Sequence, residues 1–479
     1  MNPLKVALHQ IYILQLENYE LRRFFGRMRS GLWRARQNPR KPLVWTPKAI
    51  LLFVLGLFFQ FLLAGLLSTW LLDGTLAFTG FVIFAAAFSY VFWIFLLISA
   101  VLAYPADYIL KQVVVARGRM RLRALANVRV VAIAGSYGKT TFKNIAAALL
   151  SQSFKVVKTP DSVNTPVGVA RWLTRDVRSD AQVLVVEFGE YYRGDIRKLC
   201  ELIPPDVSVV TGINEAHLER LGSLENAAAT IFEAVEYAKP GALAMLNGDD
   251  ELVRGSAKNY LQGRKASYFG AHETSSEWQV GNPSFHADGS GWSFDLSNKE
   301  KNLGSYKIPL LGEYALSDIL GAASIASELG ARPEDIASGI AQVSAIPHRL
   351  QVVPTQNDIL VIDDSYNANS HGVAEAIRVL GRLRGRRRIY VTPGLVETGI
   401  RERQIHQSLG SELAVAAELV VLTRNSVTPF IAEGLRTAGF PEDKILWFDT
   451  AEAAQKGVGE LARAGDVILF QNDWTDNYI

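Results

Sequence analysis

Two stretches, Ala49–Leu72 and Phe81–Leu102, run for 24 and 22 residues without a single charge. Each is long enough to cross a hydrocarbon core of about 30 Å as a helix. A signal peptide has a shorter apolar region nearer the start. The connector Asp73–Gly80 contains no Lys or Arg, whereas residues 1–48 carry ten against two acids and residues 107–125 five against one. Positive charge stays on the cytoplasmic side of a membrane, so a hairpin is expected, with membrane helices at about 49–72 and 81–103 and both ends in the cytoplasm. The expected location is the cytoplasmic (inner) membrane, crossed twice. The segment Ile11–Arg36 mixes Ile, Leu, Tyr and Phe with arginines. It is expected to lie on the inner leaflet, held by anionic lipid, or to pack on the hairpin.

The formal net charge of +3 therefore belongs to the front of the chain, and residues 126–479 are net acidic. That argues against a nucleic-acid partner, because affinity for a polyanion needs a basic surface. A single cysteine, Cys200, excludes an internal disulfide framework and fits a reducing compartment.

From Val128 the pattern alternates strand and helix. The runs "VRVVAIAG", "AQVLVVEFG" and "DVSVVTG" read as buried parallel strands. Between Trp278 and Pro309, short runs with Gly, Ser and Asn turns suggest an antiparallel insert. After "AIPHRLQVVP" a second α/β unit begins, with strands at "DILVIDDS", "RRIYVTPG", "ELVVLTR", "KILWFD" and "DVILFQ". The expected organisation is a membrane anchor over 1–125, a nucleotide-binding α/β domain over 126–345 and a Rossmann-like domain over 346–479.

The stretch "VVAIAGSYGKTT", Val130–Thr141, reads as a strand emptying through a glycine turn into a helix. A Walker A loop would need a further glycine at position 133, where Ile133 stands. Gly135, Ser136 and Gly138 let backbone N–H groups face a phosphate, and the helix adds its positive end. Lys139 supplies a point charge to the β- and γ-phosphates, and Thr140, followed by Thr141, a hydroxyl for Mg²⁺. Glu187 closes a strand, where a carboxylate can hold a hard cation, and His217 follows another by a short loop. Both positions fall at carboxyl ends of strands, where α/β sheets place ligands.

"GSYGKTT", "NTPVGVA" (Asn164–Ala170), "EAHLERLGS" (Glu215–Ser223) and "DDSYNANS" (Asp363–Ser370) together resemble motifs of the Mur ligase family, most closely its MurF-type branch. The resemblance covers about residues 126–479. It implies a P-loop central domain and a Rossmann-like C-terminal domain that use ATP and Mg²⁺. It further implies that a substrate carboxylate becomes an acyl phosphate and is then attacked by an amine. Thr140 and Glu187 would hold one Mg²⁺ and His217 a second. Arg349, Asp364, Asn367 and Asn369 would close over the nucleotide, with Lys139, His217, Asp364 and Arg349 as the catalytic set. Asn164, Thr165 and Asn214 would meet substrate. The implied partners are a cell-wall peptide precursor, soluble or lipid-linked, and an amino acid or dipeptide such as D-alanyl-D-alanine.

Several positions depart from the family's pattern. The lysine that the family carbamylates, six residues after Glu225, is Ile231, which cannot ligate metal; Glu233 is the nearby carboxylate. The family's "TNIG" is "TGIN" here, Thr211–Asn214. Its adenine-binding helix appears as "LGEYALSDILGAA", with Tyr314, Ala315 and Asp318 in place of one His and two Asn. An ionised Asp accepts hydrogen bonds but donates none. ATP is the expected nucleotide, with a guanine nucleotide left open by Asp318. The hairpin leads almost directly into the central domain, so the family's N-terminal uridine-nucleotide domain is expected to be absent. Two other readings remain: a polyglutamate-type ligase of the same chemistry, and a membrane scaffold that binds nucleotide with little turnover.

Overall fold

The computed structural model describes residues 2–31, 42–125, 127–215, 218–273, 276–299, 301–355, 358–366, 369–383, 386–396, 398 and 401–472. The chain divides into two compact units, one up to Val113 and one from Val114 to Trp474.

In the first unit, helices Pro47–Leu71 and Thr75–Phe88 pack on each other, and a turn of 3₁₀ helix at Ser89–Val91 leads into helix Phe92–Arg123. Among the described residues two helices are thus long and apolar enough to cross a membrane, Pro47–Leu71 and the nearly continuous Thr75–Arg123. The second starts six residues before the expected Phe81 and outruns position 103 by 20, because the charged stretch after Ala106 keeps good helix formers. The segment from Ile11 is not one interfacial helix. Helices Pro3–Leu16 and Leu21–Ser30 are separated at Asn18 and Tyr19, both at positive φ. Their Val6, Ile11, Leu14, Phe24 and Met28 share a core with Leu52, Phe92 and Leu96, so packing on the hairpin is what the structure favours. Gln10 fixes the fit, donating to the Tyr90 carbonyl at 3.2 Å and accepting from the Trp93 N–H at 2.5 Å.

The second unit contains two six-stranded sheets. In the first, β1 (Arg129–Ala134), β2 (Val156–Lys158), β3 (Val183–Glu187), β4 (Val207–Val210), β5 (Leu243–Asn247) and β6 (Ala266–Phe269) run parallel in the order β2-β3-β1-β4-β5-β6. Side chains alternate across a strand, and both faces of this sheet are covered, which is why β1 is apolar without a break from Val130 to Ala134. Val131 and Ile133 join one core with Phe142 and Ile145 of helix Lys139–Leu150 and with Ile319 and Ala323 of helix Tyr314–Glu328. Val130, Ala132 and Ala134 join the other, with Val169, Leu199 and Phe232. The expected insert is a three-stranded antiparallel sheet of β7 (Trp278–His286), β8 (Gly291–Asn298) and β9 (Asn302–Ile308).

The second large sheet holds β10 (Gln351–Val353), β11 (Leu360–Asp364), β12 (Arg387–Thr392), β13 (Leu419–Thr423), β14 (Ile445–Phe448) and β15 (Asp466–Gln471), in the order β10-β11-β15-β12-β13-β14. Only the edge strand β10 is antiparallel. Tyr390, Val420, Leu380 and Leu413 share one of its cores and Ile389, Val421, Ala454 and Ile468 the other, both distinct from those of the first sheet.

Candidate active site

Residues that end β1, β3 and β4 meet residues around β11 across one cavity of about 500 Å³. At its floor is the loop after β1. Gly135 and Gly138 have φ of +148° and +79°, in the region that favours glycine, and a Cβ at 135 would stand 2.2 Å from the Thr211 hydroxyl. The loop delivers Lys139 to the first turn of helix Lys139–Leu150, whose N-terminal N–H groups have no partners inside the helix. Ser136, Gly138, Lys139, Thr140 and Thr141 all line the cavity.

The two lysines at this floor are paired with carboxylates. The Lys139 ammonium donates to Glu190 Oε1 at 2.8 Å and to the Gly135 carbonyl. Glu187 Oε2 accepts from the Thr140 hydroxyl at 3.0 Å and from Lys143 at 3.1 Å, and its Oε1 accepts from Asn164 at 3.3 Å. Burial pushes the Glu187 carboxyl up, but the Lys143 and Lys139 charges and the hydrogen bonds prevail, holding it below the usual carboxylate range. Lys143 is fully buried and also donates to Asp161 at 3.2 Å. Neither Lys143 nor Glu190 is anticipated above. Lys143 lies four residues after Lys139 and so on the same helix face, a signal the sequence does carry.

The Thr140 hydroxyl and an ionised, buried carboxylate make a hard oxygen pair that suits Mg²⁺, which takes one or two protein oxygens alongside substrate phosphates. Among the described residues no group of three or more His, Cys, Asp or Glu is placed to hold a metal. Ile231 is buried in the core. Glu233 does not replace the missing lysine: its two oxygens accept from the Gly194 and Arg197 N–H groups at 2.8 and 2.9 Å, capping helix Asp195–Leu202.

The opposite wall comes from the second sheet. Arg349 donates to the Tyr366 carbonyl at 2.7 Å, and its guanidinium lies 4.8 Å from the Tyr366 ring. Asp364 accepts from the Leu350 N–H at 3.0 Å and from Gln471 at 2.8 Å. Burial raises its carboxyl to about 6, against the pull of Gln471 and Arg349. The two walls touch through Ser162 and the Tyr366 hydroxyl, and through Asn214, which donates to Asn369 Oδ1 at 3.0 Å.

Asn214 is thus a bridge between the walls. Asn369 lines the cavity but also caps helix Ser370–Arg382, accepting from the Gly372 N–H at 3.1 Å. Thr165 caps helix Pro166–Arg175 and is not among the residues that line the cavity, unlike Asn164. His217 and Asn367 lie outside the described residues.

Also lining the cavity, Tyr137 lies flat on His371, with ring centroids 4.9 Å apart and planes 9° from parallel. Its hydroxyl donates to Asp250, and its ring fills the space over Gly212, where a Cβ would be 2.2 Å from a ring carbon. Asp318 and Ser317, from helix Tyr314–Glu328, line the cavity too, with Asp318 close enough to Tyr137 to act on it electrostatically.

A phosphate loop on one α/β sheet, faced by an arginine and an aspartate from a second, belongs to an enzyme that joins two molecules at the expense of a nucleoside triphosphate. Residues 133–326 match the family model of the Mur ligase middle domain, and residues 348–471 that of the Mur ligase glutamate ligase domain. The UDP-N-acetylmuramoyl-tripeptide–D-alanyl-D-alanine ligase of Escherichia coli (strain K12) is 30% identical over 320 residues, 65% of this chain and 69% of that one. Its Bacillus subtilis (strain 168) counterpart is 28% identical over 344 residues, 72% of each chain. Among solved structures, the MurF ligase of Thermotoga maritima in complex with ADP matches with a TM-score of 0.66 at 26% identity, over 76% of this chain and 80% of that one. The chain belongs to the Mur ligase family, and it is an ATP-dependent acid–amino-acid ligase.

Proposed function

We propose that this chain is a membrane-anchored, MurF-like ligase of peptidoglycan precursor assembly. It joins a carboxylate of a muramoyl-peptide precursor to an amine such as D-alanyl-D-alanine. The observation that carries this reading is the convergence on one cavity of Lys139, Thr140 and Glu187 from the first sheet with Arg349 and Asp364 from the second.

A carboxylate is a poor acyl donor, because its leaving group would be oxide. The γ-phosphoryl group therefore passes to a carboxylate oxygen, giving an acyl phosphate and ADP. The amine attacks the carbonyl carbon, phosphate leaves from the tetrahedral intermediate, and the amine loses a proton. Two anions must meet for the first step, so positioned cations dominate its barrier. Lys139 turns from Glu190 to the β- and γ-phosphates, while the N-terminus of its helix adds partial positive charge. Thr140 and Glu187 would hold Mg²⁺, which supplies further neutralisation of the phosphates. Arg349 approaches from the other wall, so the site is complete only with both walls together.

Only 22% of each apolar span's most hydrophobic window is buried within the protein, unlike the core helix of a soluble domain, and this supports contact with lipid. The basic flanks support a cytoplasmic catalytic unit. An acceptor held in the same leaflet gains effective concentration, which favours a lipid-linked precursor.

The full chain in lipid bilayers, given ATP, Mg²⁺ and D-alanyl-D-alanine, is expected to release ADP and phosphate and to form amide faster with a lipid-linked muramoyl peptide than with its soluble nucleotide form. Lys139→Ala should lower that rate about 10²–10³-fold. Near-normal product from Lys139→Ala, or none from the unaltered chain with any muramoyl peptide, rejects the ligase reading; equal kcat/KM for both acceptors rejects the lipid-linked one.

A further inference from the structure

Strand β15 is apolar from Val467 to Phe470 and then ends on an amide, Gln471, which is 1% exposed. An amide buried so deeply is costly unless its hydrogen bonds are made, and here they are. Parallel pairing sets Gln471 opposite Asp364 of β11. Its Nε2 donates to Asp364 Oδ2 at 2.8 Å, and its Oε1 accepts at 3.1 Å from the hydroxyl of Tyr390, a buried residue of β12. The other oxygen of Asp364 accepts from the Leu350 N–H at 3.0 Å. A chain of hydrogen bonds therefore runs from Tyr390 through Gln471 and Asp364 to the backbone beside Arg349. That backbone is unusual. His348 and Leu350 have φ of +58° and +43°, a region that residues with a Cβ seldom enter. A bulky leucine persists there only where its surroundings over-determine it. The Leu350 side chain is buried in a core of the second sheet, and His348 Nδ1 lies 2.7 Å from Asp363 Oδ2. Between these two anchored residues, Arg349 reaches the cavity. Neither Gln471 nor Tyr390 is among the described residues that line it.

We propose that Gln471, backed by Tyr390, is a positioning residue for Arg349. It holds Asp364 in the orientation that keeps Leu350, and with it the arginine, in place for phosphoryl transfer. This rests on the ligase reading above and adds to that site two residues that act from behind its wall. Asp364 serves as the link, since each of its oxygens already accepts from a protein N–H. A carboxylate left free to rotate no longer meets the Leu350 N–H in line, and hydrogen bonds weaken steeply as they bend. Leu350 then relaxes towards negative φ and carries Arg349 away from the other wall. Displacing a charge-stabilising group by about 1 Å is enough to cost about 100-fold in rate. An amide suits this duty because one end donates to the carboxylate while the other accepts from the phenol. A methionine of similar volume does neither.

The test follows ADP release by the full chain in lipid bilayers, given ATP, Mg²⁺, a muramoyl peptide and D-alanyl-D-alanine, alongside thermal unfolding. Gln471→Met should lower kcat about 10- to 100-fold and Tyr390→Phe about three- to tenfold, with KM for ATP within about threefold of the unaltered value. In an Arg349→Ala background each substitution should change kcat by less than about twofold, because the group they position is gone. Should Gln471→Met give no cooperative unfolding transition, Tyr390→Phe, which removes one hydroxyl, decides by the same criteria. Unchanged kcat in a folded variant overturns the proposal, and so does a loss of equal size with and without Arg349. Both results leave the ligase reading standing. No ADP release by the unaltered chain with any muramoyl peptide removes the ligase reading and this proposal together.

Discussion

The two ends of the cavity treat their carboxyl groups in opposite ways. At the phosphate loop, Glu187 and Glu190 sit within 3.1 Å of lysine ammonium groups, and Glu187 is held ionised despite burial. Along helix Tyr314–Glu328 and β11, Asp318 and Asp364 are as deeply buried, but burial prevails and their carboxyls are raised. Burial is common to both ends and therefore cannot be what sets the charge. The deciding quantity is a cation within hydrogen-bond reach, since opposite charge at that range outweighs desolvation. One end thus stores paired charges that can change partners when phosphate arrives. The other has carboxyls that hold their protons to higher pH than an ordinary aspartate does.

The hardest way to break this contrast is to remove the lysine that maintains it. Lys143→Met should cost about 3–5 kcal/mol in chemical unfolding, because it leaves Glu187 as a buried charge with its nearest cation gone. A loss below about 1 kcal/mol would mean that Lys139 and Thr140 suffice.

A smaller effect should come from pH. The folded carboxyl of Asp364 titrates at about 6, above the ordinary aspartate value of about 3.9, so the folded state holds this proton more tightly than the unfolded chain. Its contribution is fully favourable below about pH 4 and is lost as pH rises through about 6. Glu187, held low, has the opposite sign: its contribution is present above the ordinary glutamate range and is lost as pH falls through its depressed folded value. Comparing the unaltered chain with Asp364→Asn between pH 4 and 7 cancels Glu187. The unaltered chain should lose about 1–3 kcal/mol relative to the variant across that window. A flat difference contradicts a raised Asp364.

The smallest effect should be at Glu190. With divalent cations chelated, Glu190→Gln should bind ADP about three- to tenfold more tightly in calorimetry, since Lys139 no longer leaves a carboxylate to meet phosphate. Weaker binding by the variant would show that Glu190 helps to hold nucleotide rather than competing for the lysine.

Much of the framework was legible because strand period, glycine spacing and charge-free length are local signals. β1 and its loop, β3 ending at Glu187, the insert from Trp278 to Ile308 and all five strands read after Pro354 follow from such patterns. What stayed hidden depends on pairs distant in sequence. Nothing local says that Glu190 meets Lys139, 51 residues away, or that Asn214 reaches Asn369, 155 residues on. Thr165 carries a motif letter that implied substrate, yet its hydroxyl accepts from the Gly168 N–H at 3.3 Å, because Thr before Pro at a helix start is also a good cap. A side chain with two chemically sound uses cannot be assigned from its own neighbours. The second charge-free run is shorter than its helix for a related reason: absence of charge marks where lipid contact would be tolerated, whereas a helix ends where its hydrogen bonding does.

The ring of Tyr137 ties two distant loops to one another. Its hydroxyl is held by Asp250 and its face by His371, and it fills the place where a side chain at 212 would begin. A methyl group at 212 has room only if the ring gives way, and the ring belongs to the phosphate loop. A small change in the loop after β4 is therefore felt 75 positions earlier, at the turn that faces the phosphate.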